Sequence, residues 1–360
     1  MSFLNALITD DLDNISDLGT VMPYSSSGLG LVVGAPPGFT GGNRAYITCS
    51  QYEDSINMSV GEQAGNTLYI AGFVKTPTAN SSGTQAMVGI GGPMGGSYGY
   101  PRTQCGLVWS TTLAKFGASR GVSSVAWGAT TFNRNTWYSI RIECKVHSST
   151  GVFKLWVDGS LEINFSGNTQ AFGYDNVNYV NLGSFFAENG YPSLLTGLSG
   201  AYQFIVCNNQ GSVNNSMIPW SMGHELLYPE SDGASTWTPS AGAAYAAIDE
   251  LVGAYNDDTD YVSATALNAK QIAGLPNPTG TIGNVMGVIV NGRLKRTNIG
   301  VVGVKIGTKV STDERQSPAI YLSTAYKNYQ YLTETKDGTN LFTQSDLNSL
   351  EITAEVTDLP

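Results

Sequence analysis

Between Asn135 and Phe165 the chain reads NTWYSIRIECKVHSSTGVFKLWVDGSLEINF, and from Tyr138 onward hydrophobic and polar positions alternate with a period of two. Tyr138, Ile140, Ile142, Cys144 and Val146 share one face, with Ser139, Arg141, Glu143 and Lys145 on the other. That alternation predicts a strand half-buried against a second layer. The next run repeats it, with Phe153, Leu155 and Val157 inward and Lys154 and Trp156 outward. After Asp158-Gly159, Leu161, Ile163 and Phe165 alternate with Glu162 and Asn164. A two-residue turn would set Leu155 opposite Glu162, so parity favours a three-residue loop, Val157 to Gly159. That loop pairs Leu155 with Leu161, Phe153 with Ile163 and Lys154 with Glu162, because a one-residue slip inverts every side chain.

Other short apolar runs lie at 45–49, 68–74, 86–90, 105–109, 122–127, 179–183 and 201–207, separated by Gly, Pro and Asn. They predict about ten strands, enough for two packed sheets. The Gly-rich run from Gly89 to Gly96 has no following Lys-Ser/Thr, so it reads as an exposed loop between strands and not as a phosphate cradle. Residues 208–235 are polar and rich in Gly and Pro, and read as a connector. Beyond it, strands are expected at 285–290, 299–306, 319–323 and 351–356. A short helix or irregular turn is expected at 243–251, and one helical turn capped by Ser345. The organisation is therefore an N-terminal arm (1–23), a first domain (24–207), the connector, and a second domain (236–360).

Composition agrees with that class: 360 residues suit two domains, 43 are Gly, and only 13% are charged. The net charge of −10 argues against a nucleic-acid partner. No segment is apolar for long enough to cross a bilayer, and the first Lys or Arg is Arg44, so no secretory leader is expected. Cys49, Cys105, Cys144 and Cys207 match no zinc spacing; buried free thiols are expected, with one disulfide as the alternative.

The pattern W-Y-S-I-R-I, a spacer, then F-K-L-W-V-D-G resembles the concanavalin A-like, or laminin-G-like, jelly-roll family. A closing strand at 200–208 sits where that family returns its last strand to the inner sheet. The resemblance implies an all-β chain of two β-sandwich domains, the first a concanavalin A-like jelly roll. The second half has its own likeness. Thr236-Trp237-Thr238, Ile248-Asp249-Glu250 and Asp257 to Val262 precede an ending of Lys336-Asp337-Gly338-Thr339, then Phe342-Thr343. That order resembles a β-sandwich module of tailed-bacteriophage virion proteins, with Gly338 where the module has Pro and Phe342 where it has Trp.

Candidate chemistry is sparse. Glycoside hydrolysis needs two carboxyl groups about 5–10 Å apart, and no E-x-D-x-E row occurs. Glu143 lies between Arg141 and Lys145, Glu162 is expected to face Lys154, and His147 and His224 lie in separate loops. No catalytic residue and no cofactor are therefore expected. Asp257, Asp258 and Asp260 are the candidate calcium ligands, although they lack the glycine and distal glutamate of an EF-hand; a turn before a strand is the plainer reading. Outward Trp137 and Trp156 suit three covers: a loop of the same chain, a neighbouring subunit, or a sugar ring.

The virion resemblance implies a non-enzymatic structural protein, either a capsid decoration protein or head fibre, or a tail accessory component. It would be made in the host cytoplasm and end in the virion. The implied partners are copies of itself, as a trimer, and the major capsid protein or tail proteins. The alternative is a carbohydrate-binding module that recognises a host surface glycan.

Overall fold

A computed structural model describes residues 3–7, 21–23, 29–33, 45–49, 55–78, 83–95, 100–186, 192–194, 198–219, 225–249, 258–297 and 299–359. The chain divides into two compact units, Met1–Met222 and Gly223–Pro360. Both are built almost wholly from antiparallel strands, and the fold class is an all-β pair of sandwiches.

The first unit contains β1 (Phe3–Leu7), β2 (Val21–Pro23), β3 (Leu29–Val33), β4 (Ala45–Cys49), β5 (Ser55–Ser59) and β6 (Thr67–Lys75). Then come β7 (Thr84–Gly95), β8 (Tyr100–Ser110), β9 (Lys115–Arg120), β10 (Ser123–Trp127), β11 (Trp137–Lys145) and β12 (Gly151–Val157). The series closes with β13 (Ser160–Gly167), β14 (Tyr179–Gly183), β15 (Phe185–Phe186), β16 (Pro192–Leu194) and β17 (Gly200–Asn208). One sheet runs β13-β12-β11-β6-β17-β4-β3, with β1 also on β17; the other runs β10-β9-β8-β7-β14-β5-β2. The chain crosses between layers repeatedly, the connectivity of a jelly roll. Ile70, Ile140, Ile142, Phe153 and Leu155 of the first sheet and Leu107, Trp109, Phe116 and Leu182 of the second share one core. Burying each such side chain stabilises the unit by about 1.5–3 kcal/mol.

Inward and outward positions of β11 and β12 follow the expected parity. The turn does not. Asp158 and Gly159 alone form it, with φ of 46° and 88°, and Val157 pairs with Ser160. A bulge then corrects the parity one step into β13. Trp156 faces Leu161, but Leu155 faces Ile163 and Phe153 faces Phe165, so Glu162 is the extra residue. Leu161 consequently points outward, half-exposed, while Ile163 is buried. Lys154 lies opposite Asn164 and bonds to Glu143 on β11, not to Glu162.

Three further expectations about this unit change. Residues 3–7 and 21–23, assigned to an arm, are strands paired with β17 and β5. The Gly-rich run, assigned to a loop, extends β7 through Gly95, with Gly96 outside the described residues. Glycine is needed there for space: a Cβ on Gly89 would lie 2.3 Å from the Asn181 side chain, and one on Gly92 would lie 2.2 Å from the Tyr174 ring. The presumed connector is divided between the units. Ile218 is buried, Pro219 accepts a hydrogen bond from Arg141, and Ser231–Asp232 pairs with Lys270–Gly274.

In the second unit a six-stranded sheet includes Lys270–Gly274, Leu350–Asp358, Gly303–Val310 and Asp313–Gln316. The antiparallel pair of Val288–Leu294 and Lys327–Thr333, which three other strands separate in the chain, contributes Val290, Tyr329 and Tyr331 to a core shared with Val304, Ile306 and Ile352. Among the described residues of the 243–251 segment there is one 3-10 turn, Tyr245–Ala247. The helical turn Gln344–Leu347 is capped by Thr343 and not Ser345. Thr343 Oγ1 accepts from the Asp346 amide, and the Asp346 carboxylate accepts from the Thr343 amide. Phe342 is buried with Leu347, Leu350 and Val310.

Candidate functional site

The outward face of β6, β11, β12 and β13 carries the residues that drew attention in the sequence. Register arranges them in rows: Tyr69, Glu143, Lys154, Asn164; then Ala71, Arg141, Trp156, Leu161; then Phe73 and Ser139; then Lys75 and Trp137. Trp137 and Trp156 therefore share a face but not a platform. Trp156 stands opposite Arg141, four residues along the strand from Trp137, roughly 13 Å away at about 3.3 Å per residue. The Trp137 indole instead lies against Gly200, where a Cβ would come within 2.7 Å of the ring.

Arg141 is the residue that alternation misplaced. It sits on the outward face yet is 1% exposed. Its guanidinium donates to Ser139 Oγ at 3.1 Å, to the Ile140 carbonyl at 2.8 Å and to the Pro219 carbonyl at 3.2 Å. Burial pulls its pKa down to about 10, well above neutrality, so it remains cationic. The signal available in the sequence was its company: Ala71 and Trp156 make a covered row rather than a wet one.

The carboxylates are each occupied. Glu143 accepts both Lys154 hydrogen bonds, at 3.1 and 3.2 Å. Burial, then the Glu143 charge, raises the pKa of neighbouring Tyr69. Glu162 accepts from the Thr130 amide and hydroxyl, tying β13 to the segment before β11. Asp158 accepts from the Ser139 amide at 2.9 Å. His147 Nδ1 accepts from the amides of Ser149 and Thr150, so this imidazole organises its own turn. His224 lies outside the described residues.

The calcium candidates do not converge in what is described. Asp257 lies outside the described residues; Asp258 is ion-paired with Lys295, and Asp260 accepts from Ser240 Oγ. Lys295 also lies 4.2 Å from the centre of the Tyr326 ring. Among the described residues no three His, Cys, Asp or Glu side chains gather as a metal site, and no helix is long and apolar enough to cross a membrane. The outer face of the second unit's large sheet is a lattice of paired charges: Lys270 with Glu314 and Glu355, and Lys309 with Glu351.

These features define an all-β protein whose first unit is a two-layer β-sandwich with jelly-roll connectivity. No protein-family model matches the chain, and no curated protein matches it. Among solved structures, it is similar to a Trypanosoma rangeli sialidase in complex with the inhibitor DANA, at 12% identity and TM-score 0.33. That match covers 52% of this chain and 30% of the sialidase, so the chain spans under a third of its length. An endo-β-1,4-glucuronan lyase from Trichoderma reesei matches at 14% identity and TM-score 0.36, covering 54% of this chain and 92% of the lyase. Alginate lyase Aly36B, in complex with alginate tetrasaccharide, matches at 12% identity and TM-score 0.35, covering 57% and 95%. At these values the likeness carries no inference about activity.

Proposed function

We propose that this chain is a non-enzymatic structural protein of a tailed-bacteriophage particle, a capsid decoration protein, head fibre or tail accessory component, assembling as a homotrimer. One observation carries the non-enzymatic part of the reading: Glu143, Glu162, Asp158 and His147, the acidic and imidazole groups around the first unit's hairpin, are each engaged in holding strands and turns together. The virion-module pattern of the second unit supports it. Lys336, Asp337, Gly338 and Phe342 serve there as ion-pair, turn and core residues. Its partners are copies of itself and the major capsid or tail proteins. Mass spectrometry of purified particles that encode the chain should find it at a fixed copy number, and mass measurement of the isolated protein should give a trimer. Absence from the particle overturns the structural reading, and a monomer in both settings overturns the trimer.

The second reading is recognition of a host glycan, favoured by the half-buried Trp156 beside the polar Glu143–Lys154 row. An aromatic face next to polar groups suits a sugar ring. Glycan-array binding that Trp156→Ala abolishes would support it. Polysaccharide cleavage by the purified protein, lost in Glu143→Gln or Glu162→Gln, would overturn the non-enzymatic assignment.

A further inference from the structure

Two thiols meet in the middle of the first unit. Cys105 belongs to β8 and Cys144 to β11, strands of opposite sheets, and their Sγ atoms are 3.2 Å apart. Both are excluded from solvent and are part of the same core cluster as Ile90, Leu107, Ile142 and Phe153. The parity of β11 aims Cys144 inward with Ile142 and Val146. Cys105 reaches it from the facing layer. Facing sheets lie about 10 Å apart, so side chains whose sulfur atoms touch across that gap must point at each other. A disulfide, with S–S of about 2.05 Å, also needs Cα atoms within about 7 Å, so closing the bond draws the two strands together locally.

We propose that Cys105 and Cys144 form an oxidation site that closes into an inter-sheet disulfide in a medium containing a low-molecular-weight disulfide. One protein thiolate attacks the reagent, breaking its S–S bond, forming a mixed disulfide and releasing one thiol. The second protein thiolate attacks the protein sulfur of that mixed disulfide and releases the second thiol. The protein loses two hydrogens overall, that is two protons and two electrons, and the reagent takes them up as it is reduced to two thiols. The thiol contact with Cys105 and burial hold the Cys144 pKa well above its usual range. The folded protein therefore reacts slowly, and the bond closes during folding, while solvent still reaches the strands. Residues 39 positions apart become linked, which restricts the unfolded chain.

The test is refolding of the full chain from denaturant in a mixture of oxidised and reduced glutathione, followed by alkylation, intact mass and peptide mapping. The expected result is a loss of two hydrogens, a cystine joining the Cys105 and Cys144 peptides, and a melting temperature raised by about 5 °C or more over the reduced protein. Cys105→Ala and Cys144→Ala should each abolish that redox-dependent shift, and Cys207→Ala should keep it. Recovery of both thiols alkylated from the folded, oxidised protein, or a cystine that uses Cys49 or Cys207 instead, overturns the proposal. The map is made on the unaltered chain, so misfolding of an alanine variant does not shelter it.

Discussion

Replacing Gly159 isolates a torsional cost from every other consequence of a mutation. Gly159 has φ of 88° and a Cβ added there meets nothing within 4 Å, so no contact is lost or forced. With Asp158 also at positive φ, the pair has the twin-positive pattern of a type I′ turn, which suits the twist of the hairpin. An L-residue in that region costs about 1–2 kcal/mol, offset by about 0.4–1 kcal/mol of reduced freedom in the unfolded chain. Gly159→Ala should therefore destabilise the first unit by about 1 kcal/mol, Gly159→Val by about 2 kcal/mol, and Gly159→Asn least, because Asn tolerates this region. Gly106→Ala is the steric counterpart: its Cβ would lie 2.5 Å from both the Phe185 ring and the Val88 carbonyl, and overpacking costs about 1–3 kcal/mol. Five of the six tryptophans lie in Met1–Met222, so urea unfolding followed by tryptophan fluorescence reports mainly on this unit. A neutral Gly159→Ala, or an Asn variant as damaged as the Val variant, would refute the torsional argument.

Asp337 accepts from the Asn340 amide, the Asn340 side chain and the Thr339 amide, which hold its pKa at about 2 against an ordinary 3.8. A depressed carboxylate contributes stability that is present above its unfolded value and lost as pH falls through the folded one. The second unit should thus lose stability between about pH 4 and pH 2, and Asp337→Asn should flatten that part of an acid titration followed by circular dichroism. Asp346 adds in the same direction: burial raises its pKa, but Lys336 and Thr343 together outweigh that and lower it. Thr343→Ala removes a cap and should cost about 1 kcal/mol in chemical denaturation, whereas Ser345→Ala should change little. Glu143→Gln should change stability by less than about 1 kcal/mol, since its ion pair is partly solvated. The same variant should lower the Tyr69 pKa in a spectrophotometric titration; an unchanged Tyr69 would contradict the stated cause.

Local alternation determined which sides of β11 and β12 face the core, because side-chain direction in a strand follows from the backbone of each residue alone. The all-β class was legible for the same reason; the partner of Glu143 was not, because alternation set Lys154 opposite Glu162 and the β11–β12 register sets it opposite Glu143. Where the extra residue of the hairpin goes was not legible. A bulge at Glu162 and a three-residue turn both turn Ile163 and Phe165 inward and differ at Leu161; in the bulge the Glu162 carboxylate is held by Thr130, which is distant in sequence. The Gly-rich run looked like a loop because small residues are flexible alone. In the sheet they are the only ones that fit beneath Asn181 and Tyr174. Arg141 has the alternation of a solvated charge, and the covered row with Ala71 and Trp156 together with the Pro219 carbonyl makes it a buried cation. Likewise, four cysteines in a sequence do not say which two meet; the crossing of β8 and β11 in opposite sheets brings Cys105 to Cys144. Side-chain polarity sets which face is covered, but what covers it, and which groups meet beneath, depends on contacts between residues far apart in the chain.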